Sequence, residues 1–187
     1  MKRRIFIAVN LPEKTKEKLK QYQEKFDYLP VRWTKKASLH LTLIFIGYVS
    51  DDQMLEVCRA AREVASKVDP FFINFKKIIL GPFGKPRMIW LEGEANQQLV
   101  KLKNKLQKEL LDCDSGFYRA ENRPLKPHVT LARIKMEQWR QANINISEVE
   151  QVFEAQIPIN SIEVMESDLK ISGAEYATLE SCPLAIN

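Results

Sequence analysis

Histidine is almost missing from this chain: 187 residues contain two. Cysteine is nearly as scarce. Cys58, Cys113 and Cys182 are scattered, odd in number and share no CxxC spacing. Two histidines and dispersed thiols argue against a structural zinc site, and the cysteines are expected to be free thiols of a reducing compartment. Only six glycines are present, and none builds a GxGxxG fingerprint or a Walker loop. Gly81-Pro82-Phe83-Gly84 lacks the lysine–threonine pair and the helix that a phosphate loop requires. There is no GxSxG elbow, and no cysteine lies in a catalytic pattern. No apolar run approaches the roughly 20 residues of a membrane-spanning helix. The basic start Met1-Lys2-Arg3-Arg4 leads into Ile5–Val9, which is too short for a signal segment and has no small-residue cleavage site after it, so the expected location is cytoplasmic. No Gly/Ser-rich linker or low-complexity stretch divides the chain.

What is present is ordinary in bulk. Hydrophobic residues make up 45% and charged residues 28%, as in a soluble globular protein of one large domain or two small lobes sharing a core. The net charge of +5 suits an anionic partner, although lysines on solvated helix faces give the same sum. Asp51-Asp52 and the Asp112/Asp114 pair resemble cation ligands, but helix capping and loop solvation account for them better.

Periodicity predicts a strand over Arg4–Leu11, then a helix opened by Pro12 with the stripe Leu19, Tyr22, Phe26, Leu29. A short strand is expected at Val31–Thr34 and a clear one at Leu39–Gly47. Ser50-Asp51-Asp52-Gln53 has the form of a capping box before a second amphipathic helix that Asp69-Pro70 ends. Phe71–Leu80 and Arg87–Glu92 read as a hairpin turned by residues 81–86. A leucine stripe, Leu99, Leu102, Leu106 and Leu110, marks a third helix. Asp112–Pro127 reads as a loop, His128–Ile134 as a strand and Glu137–Gln151 as one or two short helices. Two last strands are expected, Ile157–Glu166 and Glu175–Cys182, joined by a turn at Ser172-Gly173. This order favours an α+β sheet protein with its helices outside, and a helix before each histidine strand hints at internal duplication.

Both histidines stand in one short pattern, His40-Leu41-Thr42-Leu43 and His128-Val129-Thr130-Leu131. Residues i and i+2 of a strand share a face, so each imidazole is expected to point the same way as a threonine hydroxyl. Two such strands side by side bring two imidazoles and two hydroxyls to one volume. A pair of imidazoles supplies an acid and a base near neutral pH, and hydroxyls donate to anionic oxygens. That set can make or break a phosphodiester without a metal. A lone strand histidine is commonly structural and a strand threonine is commonly just a good strand former. The same pattern on both of the only two histidines favours function. Arg119, Arg123, Lys126 and Arg133 flank His128 and are candidates for phosphate contacts, against the alternative of a solvated loop. Arg133 has the wrong strand parity to join His128 unless a bulge, a strand end or its long side chain brings it there. Trp33, Phe45, Phe83 and Trp90 are candidates for base stacking, most of them better explained as core.

The opening strand Arg4-Ile5-Phe6-Ile7-Ala8-Val9, the segment Arg32-Trp33-Thr34 before His40-Leu41-Thr42-Leu43-Ile44-Phe45-Ile46-Gly47, the run Pro127-His128-Val129-Thr130-Leu131-Ala132-Arg133 and Val164-Met165-Glu166-Ser167 together resemble one family. It is the bacterial and archaeal RNA 2′,3′-cyclic phosphodiesterase family, also called 2′-5′ RNA ligase, of the 2H phosphoesterase superfamily. The resemblance implies one domain over residues 1–187, with a two-lobed, pseudo-symmetric α+β fold whose antiparallel sheets line a central cleft. It implies metal-independent opening of a 2′,3′-cyclic phosphate to a 2′-phosphate, no cofactor, and in some relatives 2′-5′ ligation. His40 and His128 would be catalytic, with His128 as base and His40 as acid in hydrolysis. Thr42 and Thr130 would bind substrate, with Arg133, Arg123 and Lys126 beside them. The implied partner is RNA with 2′,3′-cyclic phosphate termini, tRNA fragments among the candidates, acted on by a monomer with no membrane or obligate protein partner. A small cyclic nucleotide as substrate, or a non-catalytic RNA-end binding module, are the alternatives. Leu125 stands where relatives often carry an aromatic residue before Pro-His, a departure that touches substrate shape only.

Overall fold

The computed structural model describes residues 2–121, 123–170 and 173–185. The strands are β1 (Arg3–Asn10), β2 (Val31–Trp33), β3 (His40–Val49), β4 (Phe71–Gly81), β5 (Met88–Gly93), β6 (His128–Ile134), β7 (Gln151–Ile159), β8 (Ser161–Lys170) and β9 (Gly173–Pro183). The helices are α1 (Glu13–Lys25), α2 (Asp51–Ala65), α3 (Gln97–Leu111) and the short α4 (Met136–Gln141) and α5 (Ile146–Val149). Among the described residues no helix is long and apolar enough to cross a membrane.

The strands form one antiparallel sheet in the order β7-β4-β5-β6-β3-β1-β8-β9, with β2 added beside β6. It consists of two four-stranded halves, β7-β4-β5-β6 and β3-β1-β8-β9. Where they meet, the register pairs Leu41 with Val129, so the two HxT triplets lie centre to centre on antiparallel strands. A local twofold relates them there.

One face of the sheet carries the main core. Leu19 and Tyr22 of α1 with Phe26 just after it, Val57, Ala61 and Val64 of α2 and the α3 leucines pack with Ile5, Ile7, Val9, Leu41, Ile73, Leu91 and Val129. The capping box at Ser50 forms as its sequence implies: the Gln53 amide donates to Ser50 Oγ and the Ser50 amide to Gln53 Oε1, a start worth about 1 kcal/mol to α2. The opposite face holds a second, small cluster, Phe6, Ala8 and Met165, with Tyr176 against it. β1 is therefore covered on both sides. This is why Ile5–Val9 is a continuous apolar run and not an alternating one.

Both HxT strands carry a bulge at the same place. Ile7 faces Ile44 while Ala8 faces Thr42, leaving Leu43 extra on β3. Ile89 faces Ala132 while Trp90 faces Thr130, leaving Leu131 extra on β6. A bulge resets the alternation. Two consecutive residues, Leu43-Ile44 and Leu131-Ala132, are buried on the helix side, and the residue five after each histidine, Phe45 or Arg133, returns to the face of the histidine. Gln23, buried on α1, holds the second bulge. Its Nε2 donates to the carbonyls of Leu131, at 3.2 Å, and Thr34, at 2.9 Å.

The C-terminal third differs from its sequence reading. The expected strand Ile157–Glu166 is the end of β7 and the start of β8, with Asn160 between them. The first half of β7, Gln151–Gln156, alternates between exposed and half-buried because an edge strand has one neighbour, so its polar composition concealed it. Pro158 is tolerated there for the same reason. The region expected as one or two short helices holds α4 and α5. Of the expected turn at Ser172-Gly173, Ser172 lies outside the described residues.

Candidate active site

On the face away from the main core, the junction of the two halves lines a cavity of about 410 Å³. His40, Thr42, His128 and Thr130 all line it, as does Arg133. Arg123 and Lys126 do not. The Arg123 side chain is 87% exposed and lies 3.4 Å from Glu121, while its carbonyl is held from behind by the buried Lys103 amine. The Lys126 side chain is exposed, and it is its backbone that serves the site.

That service has a twin. His40 Nδ1 lies 2.8 Å from the Ser38 carbonyl and His128 Nδ1 lies 2.8 Å from the Lys126 carbonyl, each two residues upstream. A carbonyl oxygen can only accept, so Nδ1 donates in both rings. Nε2 is then the nitrogen left on each side to take or give a proton. Each ring is also braced by aromatic groups. Phe6 lies 5.0 Å and Tyr176 4.9 Å from His40 between centroids, the latter edge-on. Trp90 lies 4.1 Å from His128, tilted by 31°. The Trp90 ring in turn crosses Gly81, where a Cβ atom would fall 2.2 Å from its Cε3. Gly81, expected as a turn residue, is a glycine because Trp90 occupies the space of any side chain.

Burial is the main influence on both imidazoles, and it pulls each pKa below the ordinary value by disfavouring the cation. The carbonyl partners oppose this. Lys16 and the charge of His128 lower His40 further.

Other residues of the lining were not singled out from sequence. Arg4, Arg32, Phe6, Tyr176 and Ser167 also face the cavity. The parity of β1 carried a signal for Arg4 and Phe6, which alternate with the core residues Ile5 and Ile7. Tyr176 comes from the distant β9 and had none. The proposed stacking aromatics separate: Trp33 packs against the core, edge-on to Tyr22, whereas Phe45 is 64% and Phe83 fully exposed. Phe45 stands at the cavity.

Among the described residues the lining contains no carboxylate, and no three His, Cys, Asp or Glu side chains group as metal ligands. Guanidinium groups, threonine hydroxyls and two imidazoles with free Nε2 atoms suit one class of ligand, a phosphate ester. Comparison with known proteins agrees. The LigT-like phosphoesterase family model matches residues 9–90, a span that includes the first HxT triplet. The chain is 35% identical over 130 residues to the RNA 2′,3′-cyclic phosphodiesterase of Bacillus subtilis, covering 68% of this chain and 69% of that one. It is 26% identical over 179 residues to the protein of the same name from Methanocaldococcus jannaschii, covering 95% and 98%. A crystal structure of a Thermus thermophilus protein superimposes with a TM-score of 0.81 at 26% identity over 97% of both chains. E. coli LigT complexed with 3′-AMP shares the fold, with a TM-score of 0.78 at 21% identity over 100% of both. The chain belongs to the LigT-like phosphoesterases, an enzyme family whose curated members here carry the name RNA 2′,3′-cyclic phosphodiesterase.

Proposed function

We propose that this protein opens the 2′,3′-cyclic phosphate at the end of an RNA, leaving a 2′-phosphate, as a single domain in which each half of the sheet supplies one HxT triplet. The observation that carries this is the matched pair of Nδ1–carbonyl hydrogen bonds, which leaves two Nε2 atoms at one cavity. Hydrolysis needs a base to deprotonate water as it attacks phosphorus and an acid to protonate the ribose 3′ oxygen as it leaves. In-line displacement puts those two oxygens on opposite sides of phosphorus. Two imidazoles on facing strands meet that demand, with His128 as base and His40 as acid. Thr42 and Thr130 donate to the two non-bridging oxygens, where charge builds in the transition state. Phe45 at the cavity edge offers a face for the terminal base. Arg123 and Lys126, exposed on the loop before β6, act on RNA backbone beyond the cavity.

The test is incubation of the purified protein with RNA ending in 2′,3′-cyclic phosphate, with and without EDTA, with products resolved by phosphorus NMR. A terminal 2′-phosphate, formed equally with chelator, is expected. A 3′-phosphate would place the acid and base about the ring in the opposite sense. Loss of turnover on chelation, restored by Zn²⁺ or Mn²⁺, would overturn the metal-free mechanism.

A further inference from the structure

A second cavity, of about 600 Å³, adjoins the cleft and shares Arg4, Ser167 and Tyr176 with it. Among the described residues of its lining there is no member of either HxT triplet. Tyr48 lines this second cavity, and another bulge of β3 puts it there. Phe6 faces Phe45 while Ile5 faces Gly47, leaving Ile46 extra on β3. Gly47 takes a φ of 99°, the left-handed conformation that a glycine bulge uses. Arg4 then faces Tyr48, so Tyr48 returns to the face of Phe45. Both rings are 64% exposed, one at the cleft and the other in the cavity beside it. Three residues of strand, about 10 Å at most, separate them. The other half of the sheet has no such pair, because the residues five and eight after His128 are Arg133 and Met136. The two linings also differ in charge. The cleft has arginines and, among the described residues, no carboxylate. The second cavity sets Lys2, Arg3 and Arg4 against Glu166, Asp168 and Glu175, so its formal charges cancel. The first suits a phosphate, the second an uncharged group with a ring face and polar edges.

We propose that the second cavity is a nucleobase site, in which Tyr48 stacks the base of the nucleoside that precedes the terminal one. Phe45 offers its face to the terminal base, and a cyclic 3′ end has only one neighbouring nucleoside, on its 5′ side. Single-stranded RNA is commonly held with its bases splayed apart, each on its own aromatic side chain. Stacking on a tyrosine tolerates any base, because every base has a π-face. Carboxylates accept from exocyclic amino groups and cations donate to ring acceptors, so a mixed rim meets the polar edge of a base. This deepens the RNA-end reading, on which it rests. It makes the substrate an oligonucleotide end and gives the strand a direction, its 5′ side leaving past the start of β1.

The experiment measures binding, not turnover. Two dinucleotides ending in 2′-phosphate are titrated calorimetrically, one complete and one abasic at its upstream nucleoside. They carry the same phosphates and the same terminal base, so their ratio of affinities reports the upstream base alone. The complete ligand is expected to bind the parent protein about tenfold more tightly, within the range of one base–aromatic stack. In Tyr48→Ala that ratio should fall below about twofold, and in Tyr48→Phe, which keeps the ring, it should stay near tenfold. Tyr48 is exposed, so both variants are expected to fold, and binding of the abasic ligand verifies this in each. Equal affinity of the parent for both ligands would overturn the proposal. So would a full tenfold ratio in Tyr48→Ala, which would mean that the upstream base stacks on the terminal one and not on the protein. Either result could stand beside normal hydrolysis of cyclic ends, leaving the catalytic reading intact. Conversely, a Tyr48-dependent ratio in a protein that hydrolyses no cyclic end would keep the base site and remove the catalytic reading.

Discussion

Leu41 faces Val129 directly across the β3–β6 junction, and each is the middle residue of its HxT triplet. Both side chains are buried in the main core, at 1% and 0% exposure. The alternation of a strand then sends the flanking histidine and threonine of both triplets to the other face. One apolar contact thus sets the separation of the two imidazoles. Leu41→Ala should cost about 2–5 kcal/mol, as large-to-small core changes do, measured by urea denaturation. Turnover by the molecules that stay folded should fall as well, since the spacing of the cleft depends on this contact. Unchanged stability with unchanged turnover would show that the junction is held elsewhere.

The two histidines are expected to act as a unit. His40→Ala and His128→Ala should each lower kcat by at least about a hundredfold, the scale of a positioned acid or base. The double variant should be little worse than either single one, because an acid without its base has little left to contribute. Multiplying losses would mean two independent roles.

The elements and the paired HxT set were legible in the sequence because they rest on local rules. Stripes gave α1 to α3, the capping box gave the start of α2, and strand parity put His40 with Thr42 and His128 with Thr130 on one face. What escaped depends on register between distant segments. The place of Arg133 in the cavity follows from the extra residue Leu131, which no single-strand parity count reveals. Its partner Arg32 arrives by pairing across about a hundred residues of chain. Trp90 was a candidate for stacking a base, but its ring braces His128, and Gly81 makes room for it. Arg123 and Lys126 were near His128 in sequence, but the loop carries their side chains outward.

Gly81, Trp90 and His128 form a chain of contacts that a single methyl group should disturb. Gly81→Ala places a carbon where Trp90 already lies, and overpacking of this kind costs about 1–3 kcal/mol. The displaced indole no longer supports His128. With only two histidines in the chain, both imidazoles are resolvable by NMR, and the His128 resonances should move while those of His40 stay. In a Trp90→Ala background the added cost of Gly81→Ala should nearly vanish, since coupled neighbours are non-additive. An equal cost in both backgrounds would show that the methyl group meets something other than the indole.

The pH response follows from burial. Desolvation is the largest influence on both imidazoles and lowers each pKa from the ordinary 6.5. With one ring as base and the other as acid, kcat/KM against pH should be bell-shaped. It rises as the base loses its proton and falls as the acid loses its own. Both limbs belong to the free protein, so the maximum should lie on the acid side of 6.5. A bound phosphate anion stabilises imidazolium, so the kcat profile should sit at higher pH than that of kcat/KM. Stability carries the same sign. A histidine whose pKa is lower when folded makes the folded state bind fewer protons than the unfolded one. Unfolding free energy should therefore drop as pH falls from about 6.5 through the folded values, and be flat with respect to these groups above that window. NMR titration of the two rings with denaturation across pH 4 to 8 checks both statements. Imidazoles that titrate above 6.5 in the free protein would reverse the sign, and would mean that the carbonyl hydrogen bonds outweigh desolvation in this cleft.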